Sequence, residues 1–395
     1  MKIVLYDGPE WKDLLPLTFT KPVAGLRIGI DTIREKWEAA LNTECLIKTQ
    51  DYLQAIHPVA TSDDFLFINA SYIPHPVLTD HILSIRHNQS LAISGQVIAY
   101  RTDSFHVASS EAEQFEIISI SAPEDVIHIC YPWDIFSNNN RVLQQDFDRI
   151  TSGRVSAPIS PTNRLLGERI FLEEGAIVEC CNINTTTGPV YLGKNSMIME
   201  GANIRGGLAL CEESIVKMGA KLYGASTFGP HCKVGGEVNN SIFQGFSNKG
   251  HEGYLGNSVI GEWCNFGADT NASNLKNTYK KVKIYNYRQN ISIDSGLLFL
   301  GLIMGDHSKS GINTMFNTGT VVGVFANIFG TGFPPGHIPS FSWGGAEHME
   351  PYQFEKAIEV AEAVMSRKNQ HLTPEYKAIL RHIYDNTHHQ IYSSN

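Results

Sequence analysis

Apolar residues recur every six positions through the middle of the chain. Leu192, Ile198, Ile204, Leu210, Val216, Leu222, Phe228 and Val234 hold one register. Four positions after each stands Ser196, Ala202, Leu208, Ser214, Ala220, Ser226, Cys232 or Val238, most of them small, and Gly193, Gly229 and Gly235 directly follow the large residue. A large side chain can fill a core while the small one fits a tight corner, and stacked coils of this kind bury a column that no single repeat could bury alone. A sandwich of alternating strands has period two and would not keep a period of six over so many positions. The pattern predicts a left-handed parallel β-helix over roughly residues 172–324.

The register reaches back through Leu172 and Val178 and slips by two residues at Gly188-Pro189. It is interrupted after Val238, resumes at Ile260 and Phe266, breaks again over 272–290, and is expected to return at Ile312, Thr318 and Val324. Interruptions of a solenoid are commonly loops on its binding face, so two insertions, near 240–255 and 272–290, are where chemistry is expected.

The flanks follow other periods. Upstream, the short apolar runs IVLYD, ECLIK, DFLFIN and LAISG alternate with helical patterns such as residues 31–41, which predicts a small α/β domain with parallel strands. Residues 151–162 (TSGRVSAPISPT) read as a linker. Downstream, Phe354, Ala357, Ile358, Ala361 and Met365, then Tyr376, Ile379, Leu380 and Ile383, fall at helical spacing, with Thr373-Pro374 as N-cap and first-turn proline of the second helix. The expected division is 1–150 α/β domain, 151–163 linker, 164–345 β-helix and 346–395 helical extension, an end cap or a surface packed on a neighbouring subunit.

At 395 residues the chain is too long for one core, since single cores stop growing near ~250 residues. A charge of −9 and a pI near 5.9 provide no basic stripe for nucleic acid and favour a small-molecule partner. Seven cysteines without CxxC spacing speak against a disulfide framework or a zinc site and read as reduced thiols of a cytosolic protein. The opening MKIVLYDG reads as a strand rather than an export signal. The longest apolar run, 297–304, is less than half of the ~20 residues that would span a bilayer, so no membrane insertion is expected.

The segment GHEGYLGNSVIGEWCNFGADTNASN, residues 250–274, resembles the acetyltransferase half of the bifunctional bacterial enzymes that acetylate glucosamine-1-phosphate and then uridylylate the product. The resemblance implies a nucleotidyltransferase-like domain in front of the β-helix, an amino-sugar phosphate acceptor, acetyl-CoA as donor, a nucleotide substrate and a homotrimer. It also implies roles for single residues: His251 as general base, Tyr254 as sugar contact, Asn274 as substrate contact, Lys280 as a loop lysine near the phosphate, and Ala268 and Gly301 at the coenzyme. Imidazole suits the base, since its pKa near ~6.5 lets it take a proton from an amine at neutral pH. The chain departs from the pattern where Tyr223 stands at the family's phosphate-binding Arg, Ser241 near its Lys, and Asn239 in place of a carboxylate. Losing those cations removes charge-assisted hydrogen bonds, which leaves open a different acceptor or the loss of acetylation. A second polar run, Gly305-Asp306-His307-Ser308-Lys309-Ser310, reads either as a phosphate contact through Lys309 or as a coil corner.

In the amino-terminal part, Asp7-Gly8-Pro9 follows the first strand without the family's GxGTR run, while LPLTFTKP, residues 15–22, is similar to the stretch after that loop. Lys21 and Arg27 are the candidate phosphate contacts, with Asp7, Gly8 and Asn69 around the nucleotide. Asn69-Ala70 replaces the family's metal-binding Gly-Asp pair, which weakens a Mg²⁺ site because that ion prefers anionic oxygen. No metal ligand is assigned; Asp7, Asp134 or Asp146 would have to serve if nucleotidyl transfer persists. Three functions follow: acyl transfer in sugar-nucleotide metabolism, sugar-1-phosphate nucleotidylyl transfer with the β-helix for assembly, or a non-catalytic regulator that binds a sugar nucleotide.

Overall fold

The computed structural model describes residues 1–59 and 61–387. Contacts divide the chain into two compact units. The first comprises Met1–Leu14, Thr20–Leu26 and Asp31–Tyr131; the second comprises Leu15–Phe19, Arg27–Ile30 and everything from Pro132.

The first unit is a six-stranded sheet in the order β2-β1-β3-β5-β4-β6. Its strands are β1 (Lys2–Tyr6), β2 (Cys45–Lys48), β3 (Phe65–Asn69), β4 (Gln89–Ile93), β5 (Gln96–Thr102) and β6 (Glu116–Ile120). The expected parallel sheet is corrected to a mixed one. β1 runs parallel to β2 and β3, but β5 is antiparallel to both β3 and β4. The physical reason is the short turn from β4 to β5, which can only return the chain antiparallel. Helices α1 (Ile33–Leu41), α2 (Asp51–Gln54) and α3 (Pro76–Leu83) connect the parallel strands. α1 begins with a capping box, Thr32 accepting from the Glu35 amide while Glu35 accepts from the Thr32 amide. β3 is buried at every position, as a strand covered on both faces must be. On one face Phe67 stacks on Tyr100 at 4.6 Å.

The second unit is a parallel β-solenoid of three sheets, with eight, nine and ten strands. All eight large residues of the sequence repeat lie 0–3% exposed, and consecutive coils pair as the period requires: Leu192 with Leu210, Val216 with Val234, Leu222 with Val238. Burying each such side chain is worth about 1.5–3 kcal/mol, so the column is the main source of this unit's stability. α4 (Pro132–Thr151) lays Leu143 and Phe147 on Phe171, Tyr191 and Ala209 of the first coils. The segment after it is tied to the solenoid where the Ala157 amide donates to Leu172 O at 2.9 Å.

Two expectations about the repeat are corrected. Near 240–255 no loop projects: Ile242–Gly245, Asn248–Lys249 and Tyr254–Gly256 are rungs of a regular coil, Phe228 pairing with Phe243 and Val238 with Leu255. The period was hidden because the corners are shorter and because Lys249, 2% exposed, stands in the column one coil after Val234. After the second interruption, the core positions are Met304, Ser310, Phe316, Val322 and Ile328, two residues before the expected Ile312, Thr318 and Val324. Ile312 is 71% exposed while Phe316 is 1% exposed. Both sets repeat every six residues, and only strand pairing decides between them.

The second interruption does project. Residues 273–301 leave the ladder, form the antiparallel hairpin Lys283–Asn286 with Ile291–Asp294, and close where the Leu300 amide donates to Asn274 O at 2.9 Å. One corner of the solenoid carries left-handed residues coil after coil, and from His231 onward these are aromatic. Phe246 stacks on Trp263 at 4.1 Å and His307 on Phe325 at 4.4 Å. α5 (Phe354–Ser366) buries the predicted Phe354, Ala357, Ile358, Ala361 and Met365. α6 (Pro374–Thr387) starts where the Tyr376 amide donates to Thr373 Oγ1 at 3.2 Å and reaches the aromatic corner through Tyr376, 3.1 Å from His307 Nε2. No described helix is long and apolar enough to cross a membrane.

Candidate functional site

In the solenoid, three of the predicted substrate residues meet. Tyr254 lies on the rung that pairs with Glu237–Asn239, which in turn pairs with Lys221–Tyr223, so outward side chains of successive coils share one face. Asn274, at the root of the projecting loop, donates from Nδ2 to Tyr254 Oη at 3.0 Å and to Asn257 Oδ1 at 2.8 Å. Burial raises the Tyr254 hydroxyl, against hydrogen bonds with Asn239 and Asn274 that lower it. Gly256 makes room beneath them, because a Cβ there would lie 2.4 Å from Tyr254 Oη and 2.6 Å from Asn274 Nδ2 and would displace that pair.

His251 is exposed on the corner that leads into Tyr254. Its main-chain carbonyl accepts from the Lys249 ammonium at 3.1 Å, and the next residue, Glu252, pairs with Lys221 at 3.7 Å. Lys249 also donates to Gly235 O at 3.2 Å, and burial lowers its pKa to about 8. Tyr223 donates to Glu237 Oε1 at 2.7 Å, so the position where the resembled family has a cation is occupied by a hydroxyl on a carboxylate. Lys280 is exposed on the projecting loop.

Beside Tyr223 and Asn239 opens a cleft of about 450 Å³ whose lining includes Arg205, Asn240 and, from α4, Ser137. Arg205 was missed by sequence reasoning. The signal was available: it is the only arginine between Arg169 and Arg288, and it points outward from the rung Asn203–Arg205.

The predicted coenzyme residues are not gathered. Ala268 is half-buried at a corner, its carbonyl accepting from the Asn313 amide at 2.8 Å. Gly301 is buried in the stack, where a Cβ would lie 2.1 Å from Gly256 O. Lys309 turns its amine onto His307 O at 2.9 Å and over Phe325, and burial lowers its pKa. The polar run around it is a corner covered by α6 through Tyr376.

In the first unit, the order β2-β1-β3 makes the carboxyl ends of β1 and β3 the crevice where ligands bind in open α/β sheets. Gly8 and Asn69 stand there. Between them is a residue sequence reasoning passed over, Glu10, 6% exposed. Its carboxylate accepts from Gln96 Nε2 at 2.6 Å, Asn69 Nδ2 at 3.2 Å and His128 Nε2 at 3.1 Å. Burial by itself would raise this carboxyl, but the hydrogen bonds from His128 and Gln96 outweigh it and hold it at about 2. His128 stacks on Tyr72 at 4.0 Å, and its Nδ1 faces Cys130 Sγ at 3.3 Å.

Asp7 is spent locally: Oδ1 accepts from the Val23 amide at 2.8 Å and Oδ2 from Thr49 Oγ1 at 2.5 Å, while burial raises its pKa to about 7. Lys21 lies close by in sequence with its amine buried. Arg27 belongs to the second unit, where its amide donates to Gln244 Oε1 at 2.5 Å, its carbonyl accepts from Gln244 Nε2 at 3.1 Å, and its guanidinium donates to Ile30 O. Asp146 likewise accepts from the Ile30 amide at 2.8 Å, and Asp134 starts α4. The residues at the β1/β3 crevice do not fit Mg²⁺. Asn69 Oδ1 already accepts from the Ser71 amide and hydroxyl, and the oxygens of Glu10 and Asp7 each already accept a hydrogen bond, so a cation would have to compete with donors in place at every oxygen. Among the described residues no group of three or more His, Cys, Asp or Glu is placed to hold a metal ion.

Comparison with known proteins agrees with this two-part reading. Residues 3–155 match the family model described as sugar nucleotidyl transferase. A bifunctional sugar-1-phosphate nucleotidylyltransferase/acetyltransferase of Sulfurisphaera tokodaii is 39% identical over 93 residues, 24% of this chain and 23% of that protein. Bifunctional protein GlmU of Methanocaldococcus jannaschii is 32% identical over 192 residues, 49% of this chain and 40% of its own length. The protein of the same name from Synechococcus elongatus is 23% identical over 233 residues, 53% of this chain and 47% of that one. The chain thus spans less than half the length of these curated relatives, and it is similar to them as a divergent relative that pairs a sugar nucleotidyl transferase-like amino-terminal part with a parallel β-solenoid.

Proposed function

We propose that the protein is a transferase of sugar-nucleotide metabolism that moves an acetyl group from acetyl-CoA to the amine of an amino-sugar phosphate on the solenoid face of Tyr254 and Asn274. The observation that carries this reading is the Tyr254–Asn274–Asn257 hydrogen-bonded cluster, assembled from one coil and the root of the projecting loop, one corner away from an exposed histidine. His251 takes the proton as the amine nitrogen attacks the thioester carbonyl; the C–N bond forms, the C–S bond breaks, and the protonated imidazole returns that proton to the departing thiolate, so the coenzyme leaves as its thiol. Tyr254 and Asn274 orient the sugar hydroxyls, and Arg205 in the adjoining cleft supplies the cation for the acceptor's phosphate that Tyr223 does not. The acyl-transfer reading goes with a homotrimer in which a neighbouring subunit completes the coenzyme's contacts, and with residence in the cytoplasm.

The test is acetyl-CoA turnover against a panel of amino sugars and their 1-phosphates. Turnover that prefers the phosphates and falls in Arg205→Ala supports the reading; a monomer by light scattering with no turnover on any amine refutes it. The family-model match over residues 3–155 favours a second reading, sugar-1-phosphate nucleotidylyl transfer, which pyrophosphate release from UTP or dTTP would reveal.

A further inference from the structure

The network around Glu10 has the form of an anion site with its anion already in place. Three donors from separate elements converge on one carboxylate: Asn69 at the end of β3, Gln96 at the start of β5, and His128 beyond the sheet. All stand at the carboxyl ends of β1 and β3, where the sheet order opens a ligand crevice. The main chain is fitted to the carboxylate as well, since a Cβ at Gly8 would lie 2.3 Å from Glu10 Oε2 and 2.4 Å from Asn69 Nδ2. We propose that this crevice is a phosphate seat that the chain fills with its own Glu10, so that a phosphate-bearing ligand enters only when that side chain leaves.

The chemistry is that of substitution between like groups. A carboxylate and a phosphate oxygen accept the same N–H donors at the same distances, and two anions cannot share three neutral or singly charged donors in a buried site. Glu10 is held ionised by hydrogen bonds from His128 and Gln96, so at neutral pH it presents a full negative charge to an incoming phosphate. Its place on the four-residue turn Pro9–Lys12, between exposed Pro9 and buried Trp11 and outside every strand, lets the side chain leave without unpairing a strand. This closed state is independent of the acyl-transfer reading, which places its chemistry on the solenoid.

Thermal melting and calorimetric titration with inorganic pyrophosphate and with UTP test it. The wild-type chain is expected to show no shift with either at millimolar concentration. Glu10→Ala, which empties the seat, is expected to be stabilised by both, with a melting shift of about 3 °C or more at tenfold excess over the dissociation constant. Glu10→Gln, which keeps the seat filled, is expected to gain nothing. If the alanine variant does not melt cooperatively, Glu10→Ser, whose short polar side chain also empties the seat, carries the same expectation. Adding Asn69→Ala to the opened variant should abolish the gain. Stabilisation of the wild-type chain by either compound, failure of a folded opened variant to respond, or a response to UTP without one to pyrophosphate would each overturn the proposal.

Discussion

Lys249 donates its buried ammonium to the main-chain carbonyl of His251 at 3.1 Å, from a position in the solenoid column that the coil before fills with Val234. A cation in an apolar stack costs folding free energy, and the carbonyls of His251 and Gly235 recover only part of it. The column therefore gives up stability at the coil that carries the candidate base.

The sign of the resulting pH dependence follows from burial, which lowers Lys249 to about 8 in the folded chain. The unfolded chain, with a lysine pKa near ~10.4, binds the proton more tightly, so stability is lowest below pH ~8 and rises toward pH ~10, by at most about 3 kcal/mol. Lys249→Met, an apolar residue of similar length, is expected to melt higher than wild type at pH 7 and to lose this alkaline rise. Superimposable pH profiles of the two proteins would refute the assignment. The same variant frees the His251 carbonyl, and acyl transfer should fall by about 10²-fold if the corner shifts by ~1 Å.

His251→Ala is expected to reduce acyl transfer by about 10²–10⁴-fold, the usual worth of a general base. Because the side chain is exposed, the melting temperature should stay within about a degree of wild type. Unchanged turnover in the folded variant would remove His251 from the mechanism.

The corrected register after the projecting loop separates two neighbouring apolar residues. Ile312→Lys should change stability by no more than about 0.5 kcal/mol, whereas Phe316→Ala should cost about 3–5 kcal/mol. Denaturant titration of both variants would reverse this order if the register were the one expected from the repeat alone.

Acid should unfold the first unit partly through Glu10. Burial opposes ionisation, but His128 and Gln96 hold the carboxyl at about 2, below its ordinary value. A carboxyl lowered on folding contributes stability that is complete above pH ~4.5 and is lost as pH falls toward ~2. Glu10→Gln should flatten the acid limb of the stability profile; a limb identical to wild type would show that the network does not act through the charge.

Much of the architecture was legible in the order of residues. A period of six with alternating large and small positions specifies a coil whichever neighbour it stacks on, and Thr373 and Pro374 mark a helix start through contacts within a few residues. Of the candidate site, His251 and Tyr254 were named through the family resemblance of the contiguous stretch 250–274. What periodicity missed was set by pairing: Lys249 breaks an apolar pattern yet lies in the column, and Ile312 keeps a pattern yet lies outside it.

The remaining features required the tertiary structure. Asn239 nears Tyr254 because their rungs are neighbours in a parallel ladder. Asn274 reaches Tyr254 because the loop closes at its root. Glu10 and His128 are 118 residues apart and meet only because β1 and β3 end side by side and the chain returns across them. Local pattern determines which elements form, since it depends on contacts within a turn or a strand. The order in which strands pair determines which distant side chains converge, and in this protein that order decided both the Tyr254 cluster and the carboxylate held at the end of β1.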